Sequence, residues 1–147
     1  MILLLSIFYY FYFSIVGIYI IFLPKVLSGV GYSASEIGVL FAAAPLVRFI
    51  LPFLFMRGLD LNSRVFSASL VLVVLSIFSF FVTLQNFSLL LLSNISLGIG
   101  LSLVLPYVEL ISLDTIGKER YGKVRLFGSV GFIVVALVLV KFCPLLL

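Results

Sequence analysis

Two ionisable side chains interrupt long apolar runs: Arg48 within FAAAPLVRFILPFLF and Glu109 within PYVELISL. A third, Arg125, stands at the head of another apolar run, in YGKVRLFGSVGF. On insertion scales a charge at the middle of a membrane helix costs about 2.5 to 3.5 kcal/mol, so each needs a partner or a wet cavity. The chemistry open to these groups is binding and proton exchange. A carboxylate accepts a hydrogen bond or a proton, and a guanidinium holds negative charge. With no histidine and a single cysteine, Cys143, neither a metal centre nor an intrachain disulfide is expected. GIGLSL and GSVG lack the Lys-Ser/Thr ending of a phosphate-binding loop. The expectation is therefore a non-enzymatic protein with no cofactor.

The elements that must position these groups follow from composition. The 147 residues are 65% hydrophobic and 10% charged, with a mean hydropathy of +1.45, whereas roughly a quarter of a soluble domain is charged. An all-α, polytopic membrane helix bundle is implied. The net charge of +4 sits in short loops and forms no basic face, which excludes nucleic acid as a partner and leaves the lipid bilayer. About 20 apolar residues cross a bilayer, and five such segments can be drawn. They are Ile2 to Leu23, ending near Pro24; a second reaching Met56, capped by Ser33 or Ser35; Val65 to Leu84; Leu89 to Leu113; and Leu126 to Leu147. The first is too long, and lacks the basic flank, for a signal peptide.

Arg57, Arg64, Lys118, Arg120, Lys123 and Arg125 fall in the second and fourth connections, against Lys25 alone in the first and none in the third. Basic residues accumulate in cytoplasmic loops, so the amino terminus is expected inside, in the cell inner (cytoplasmic) membrane. Five spans then place the carboxyl terminus outside, and the chain reads as a half-domain truncated after its fifth helix.

At about 100° per residue, Asn94, Gly98, Ser102 and Glu109 share one arc of the fourth helix, with Ser93, Ser96 and Gly100 on its far side. Close helix packing accounts for the small face. The polar face is the candidate binding surface, with Pro106 freeing the carbonyl of Ser102. If helices four and five turn near Gly117, Glu109 and Arg125 lie eight positions either side of it. Both then stand roughly 8 to 12 Å from the tip, where they can meet. A purely structural ion pair is the plainer reading. Arg48, between Pro45 and Pro52, either shares Glu109 or meets an anionic solute. Tyr12 lies too deep for an interfacial belt, so its hydroxyl lines a cavity or makes one interhelical bond.

These segments resemble the amino-terminal half of a major facilitator superfamily transporter, in the branch with lactose permease, nucleoside symporters and 3-phenylpropionate transporter-like proteins. YGKVRLFGSVGF is similar to that branch's entry to the fifth helix, PYVELISLDTI to the end of its fourth, and FAAAPLVRFILPFLF to its second. FYYFYFSIVGIYIIFLPKVLSGVGYSASEIG resembles its first helix and outer loop. The resemblance implies that Glu109 and Arg125 hold the places of the acidic and arginine pair that contacts substrate. The superfamily's loop between helices two and three reads Gly-x-x-x-Asp-Arg-x-Gly-Arg. MRGLDLNSR keeps Asp60 and Arg64, the gating candidates, but places Met56, Leu61 and Ser63 at the other three positions, which argues against gating there.

The resemblance thus implies an incomplete major facilitator fold and secondary active transport of a small organic solute by proton symport. Glu109, Arg125, Arg48, Asn94 and Tyr12 would form the solute and proton path, and a second polypeptide could supply the missing helices. A non-transporting remnant, or an accessory subunit packing against another membrane protein, is the alternative.

Overall fold

The computed structural model describes residues 1–58 and 60–142. Leu59, Cys143 and the expected end of the fifth span at Leu147 lie outside them. In chain order the elements are α1 (Ile2–Ile21), α2 (Leu23–Val30), α3 (Ala34–Met56), α4 (Ser63–Thr83) and α5 (Phe87–Phe142), with no strand among the described residues. Four stretches are long and apolar enough to cross a membrane: Ile2–Val30, Ala34–Phe53, Ser63–Thr83 and Phe87–Phe142. A straight helix of 56 residues would be about 84 Å long, nearly three times the thickness of a hydrocarbon core. The chain breaks it at Gly117, whose φ of 73° and ψ of 164° suit a residue without Cβ. Arms of residues 87–116 and 118–142 result, and the second accounts for the fifth expected segment.

Two boundaries differ from the sequence expectation. The first apolar run does not stop near Pro24. After a one-residue interruption at Phe22, α2 carries it on to Val30, with Pro24 in its first turn, where a missing N–H costs little. The second arm begins at Lys118 and not Leu126, because Lys, Glu and Arg are good helix formers and only Gly117 needed to be irregular.

Ser33 caps α3, and of the two serines considered it is the one that does so. Its backbone N–H and Oγ both donate to Glu36 Oε2, at 2.8 and 2.7 Å, while Glu36 N–H donates to Ser33 Oγ at 3.3 Å. This reciprocal arrangement is a capping box. At α4 the cap is Asn62, whose Oδ1 accepts from Val65 N–H at 3.0 Å. Asn62→Ala is expected to lower stability by about 1 kcal/mol, read as a shift in the midpoint of unfolding by sodium dodecyl sulfate. No shift would mean that water replaces the cap without loss.

The helices fall into two compact units, Met1–Gly29 with the chain from Ile111 onward, and Val30–Leu110. In the first, α1 lies along the second arm. A Cβ on Gly128 would meet the Phe13 ring, one on Gly131 the Tyr10 carbonyl and Ser14 Oγ, and one on Gly17 the side chains of Phe132 and Val135. Tyr9 meets Tyr121, Phe13 meets Gly128, and Gly17 meets Phe132 and Val135, so the two helices run parallel.

In the second unit the first arm lies between α3 and α4. Asn94 Nδ2 donates to the Leu40 carbonyl at 2.5 Å, and a Cβ on Gly98 would stand 3.2 Å from Ala44 Cα. These contacts run parallel. On the other side Ser93 Oγ bonds Ser79 Oγ at 2.7 Å, Gly100 abuts Ser69 and Val73, and Tyr107 stacks on Phe66 with ring centroids 4.7 Å apart. Those partners descend as the arm's numbers rise, so α4 is antiparallel. The small face of Ser93 and Gly100 is thus a packing face, as expected.

Polar side chains survive in this core because they are satisfied locally. Ser14, Ser69, Ser76 and Thr83 each donate to a carbonyl one turn back at 2.7 to 2.8 Å. Among the described residues no buried side-chain nitrogen or oxygen lacks a partner. Large apolar side chains such as Leu46, Phe49, Phe78, Phe81 and Val82 stand outward, as lipid-facing residues do.

Candidate functional site

Arg48, Glu109, Asn94, Asp60 and Arg64 belong to the Val30–Leu110 unit. α3 runs as one helix through Pro45 and Pro52, and Arg48 between them is exposed. The pairs Leu40–Asn94 and Ala44–Gly98 share one offset of 54 between α3 and the first arm. On that register Arg48 stands level with Ser102, and Glu109 with Phe55. Seven residues, about 10 Å along the axis, then separate the two charges. Glu109 is half-buried, on the arc of the first arm that by helical geometry includes Asn94 and Gly98.

Asn94 is fully enclosed. Its amide is committed to the Leu40 carbonyl, which makes it a tie between helices whatever else it contacts. Ser102 is buried on the same arc. Asp60 and Arg64 are both exposed, and between them Asn62 makes the α4 cap, a role that no feature of the loop pattern foretold.

Arg125 and Tyr12 belong to the other unit. Arg125 Nη1 donates to Tyr121 Oη at 2.9 Å, with its guanidinium carbon 5.8 Å from the same ring's centroid. Tyr121 meets Tyr9 edge-on, centroids 6.3 Å apart and planes at 77°. Tyr9 has no exposed surface, and its hydroxyl lies 3.5 Å from Ser112 Oγ, which is equally enclosed. Tyr12 is buried between Phe8, stacked at 5.8 Å, and Phe13, edge-on at 5.4 Å. Sequence reasoning missed Tyr121, although Tyr121 and Arg125 stand at the i, i+4 spacing that brings side chains together on a helix.

The chemistry these groups offer is that of binding: a guanidinium tethered to a phenol, a half-buried carboxylate on a helix carrying no other carboxylate between Phe87 and Leu113, and a second guanidinium midway along α3. Among the described residues no cluster of three or more potential metal ligands occurs. No match is found among curated proteins or among solved structures. The MFS_1 like family, by contrast, matches residues 2–142, the whole helical array together with the segments carrying Arg48, Glu109 and Arg125, and this integral membrane protein belongs to that family of major facilitator superfamily transporters.

Proposed function

We propose that the chain supplies the amino-terminal helices of a secondary active transporter that moves a small organic solute by proton symport. In this reading its half-domain works against the second half that alternating access requires, on the same or another polypeptide. The membrane is the inner (cytoplasmic) one, with the amino terminus cytoplasmic, since the basic residues concentrate at Arg57, Arg64 and Lys118 to Arg125. Membership of a transporter family favours transport over an accessory role.

The observation that carries the reading is Glu109, the one carboxylate between Phe87 and Leu113, half-buried on the arc that includes Asn94 and Ser102. An ionisable group kept at such cost inside a span marks a solute or proton path. Glu109 accepts a hydrogen bond from the solute and takes part in proton coupling. Arg125 and Arg48 hold or counterbalance negative charge, and Tyr12 and Asn94 line the path. The branch with lactose permease, nucleoside symporters and 3-phenylpropionate transporter-like proteins supplies the solute classes to try.

The test is uptake of labelled 3-phenylpropionate, uridine and lactose into proteoliposomes holding the complete transporter, this half with its second half, under an inward proton gradient. Glu109→Gln, which keeps shape and removes ionisation, is expected to cut gradient-driven uptake at least about tenfold, or 1.4 kcal/mol. Unchanged uptake in that variant removes Glu109 from the mechanism.

A further inference from the structure

We propose that Tyr121 is a positioning residue for Arg125, and that Tyr9, seated on Ser112, holds Tyr121 in place. The inference rests on the reading of Arg125 as a solute-binding group. An exposed arginine has many rotamers, and a group that must meet a solute at one point loses affinity for each rotamer it has to give up. Tyr121 removes much of that freedom beforehand. It takes a hydrogen bond from Nη1 at 2.9 Å, with the guanidinium carbon 5.8 Å from its ring centroid, so the cation is held at the hydroxyl end of the ring.

The hold is only as firm as Tyr121 itself. Tyr121 is half-buried, and its ring takes the edge of Tyr9, 77° out of plane. Tyr9 is fully enclosed, with its hydroxyl on the enclosed Ser112. Between Tyr121 and Arg125, Val124 is 1% exposed, which fixes the rotation of this turn of helix. Order therefore passes outward, from the buried Ser112 and Tyr9, through the half-buried Tyr121, to the exposed Arg125. Each of the four residues belongs to one compact unit.

Two measurements on reconstituted protein test this. In the first, arginines are modified with phenylglyoxal and the rate at each is read by mass spectrometry. Tyr121→Phe, which keeps the ring, is expected to speed modification of Arg125 about fivefold, the size of one lost hydrogen bond, and to leave Arg48 unchanged. Tyr9→Phe should give a smaller rise at Arg125, and Tyr107→Phe, a phenol packed on Phe66, none. An unchanged rate at Arg125 in Tyr121→Phe, or an equal rise at Arg48, overturns the proposal.

In the second, saturable uptake of 3-phenylpropionate, uridine and lactose is compared. Tyr121→Phe is expected to raise the apparent KM about fivefold while the maximal rate stays within about twofold, since a loosened cation weakens binding without removing the group. A KM unmoved in Tyr121→Phe but raised in Arg125→Ala overturns the positioning role. Uptake unaffected by Arg125→Ala overturns the solute-binding reading instead, whatever the labelling gives.

Discussion

Gly131→Leu is expected to leave no monodisperse folded protein in detergent, whereas Ser129→Leu, on an exposed position two residues away, is tolerated. At Gly131 even a methyl group has nowhere to go. A Cβ there would fall on the Tyr10 carbonyl, with Ser14 Oγ at 2.9 Å and the Tyr10 carbonyl carbon at 3.0 Å. The obstacle is the main chain of α1, which cannot turn aside as a side chain does. Gly128 makes the informative contrast, because its Cβ would strike the Phe13 ring, 2.5 Å away, and a ring can rotate.

Forcing a methylene into a packed contact costs about 1 to 3 kcal/mol. Gly131→Ala is therefore expected near the top of that range, and Gly128→Ala near the bottom. Leucine at 131 must separate the two helices over a full turn. In a bilayer, where apolar surface gains little by leaving lipid, their association depends on that closeness. Fluorescence-detected size exclusion and unfolding by sodium dodecyl sulfate read both effects. A wild-type profile for Gly131→Leu would show that α1 and the second arm do not pack along Gly131.

Small residues could be read as packing sites from the sequence, but not their partners. Ser93 and Gly100 share a face by helical geometry, and that face does pack, yet nothing in the pattern says that α4 with Ser79 and Val73 lies against it. Spans were legible because about 20 apolar residues are needed to cross lipid. The break at Gly117 was legible too, since glycine alone adopts its backbone angles without strain. Pro24 misled because proline stops a helix from its interior but is welcome in a first turn, and only the interruption at Phe22 decides which applies. Tyr32 falls in the segment that resembles the first helix and outer loop, and its hydroxyl donates to the Leu84 carbonyl at 2.8 Å, 52 residues away. A tyrosine in a loop carries no mark of such a bond. Of the charged groups, the expense of Glu109 and Arg48 was visible in the chain, while the tether of Arg125 to Tyr121 depends on side-chain rotamers.

The reading of Asn94 changes most when its surroundings are known. On helical geometry it belongs with Glu109 on a polar arc. In the structure its amide nitrogen donates to the Leu40 carbonyl from a site with no exposed surface. That carbonyl is an acceptor only, so the bond requires a donor at position 94.

Asn94→Asp changes one atom pair and keeps the volume, yet a carboxylate cannot donate and would face the carbonyl oxygen. It must either take up a proton to restore the bond or push α3 away from the first arm. Leaving such a group uncompensated in an apolar site costs several kcal/mol. Asn94→Asp is therefore expected to destabilise by about 3 kcal/mol or more at neutral pH and to recover partly as pH falls, since protonation returns a donor to the site. Asn94→Ala, which loses the bond without burying a charge, should cost only about 1 to 2 kcal/mol. Thermal stability of the two variants in detergent at pH 5 and pH 8 distinguishes these cases. If Asn94→Asp proves as stable as wild type at pH 8, the enclosed bond to Leu40 does not hold the helices together.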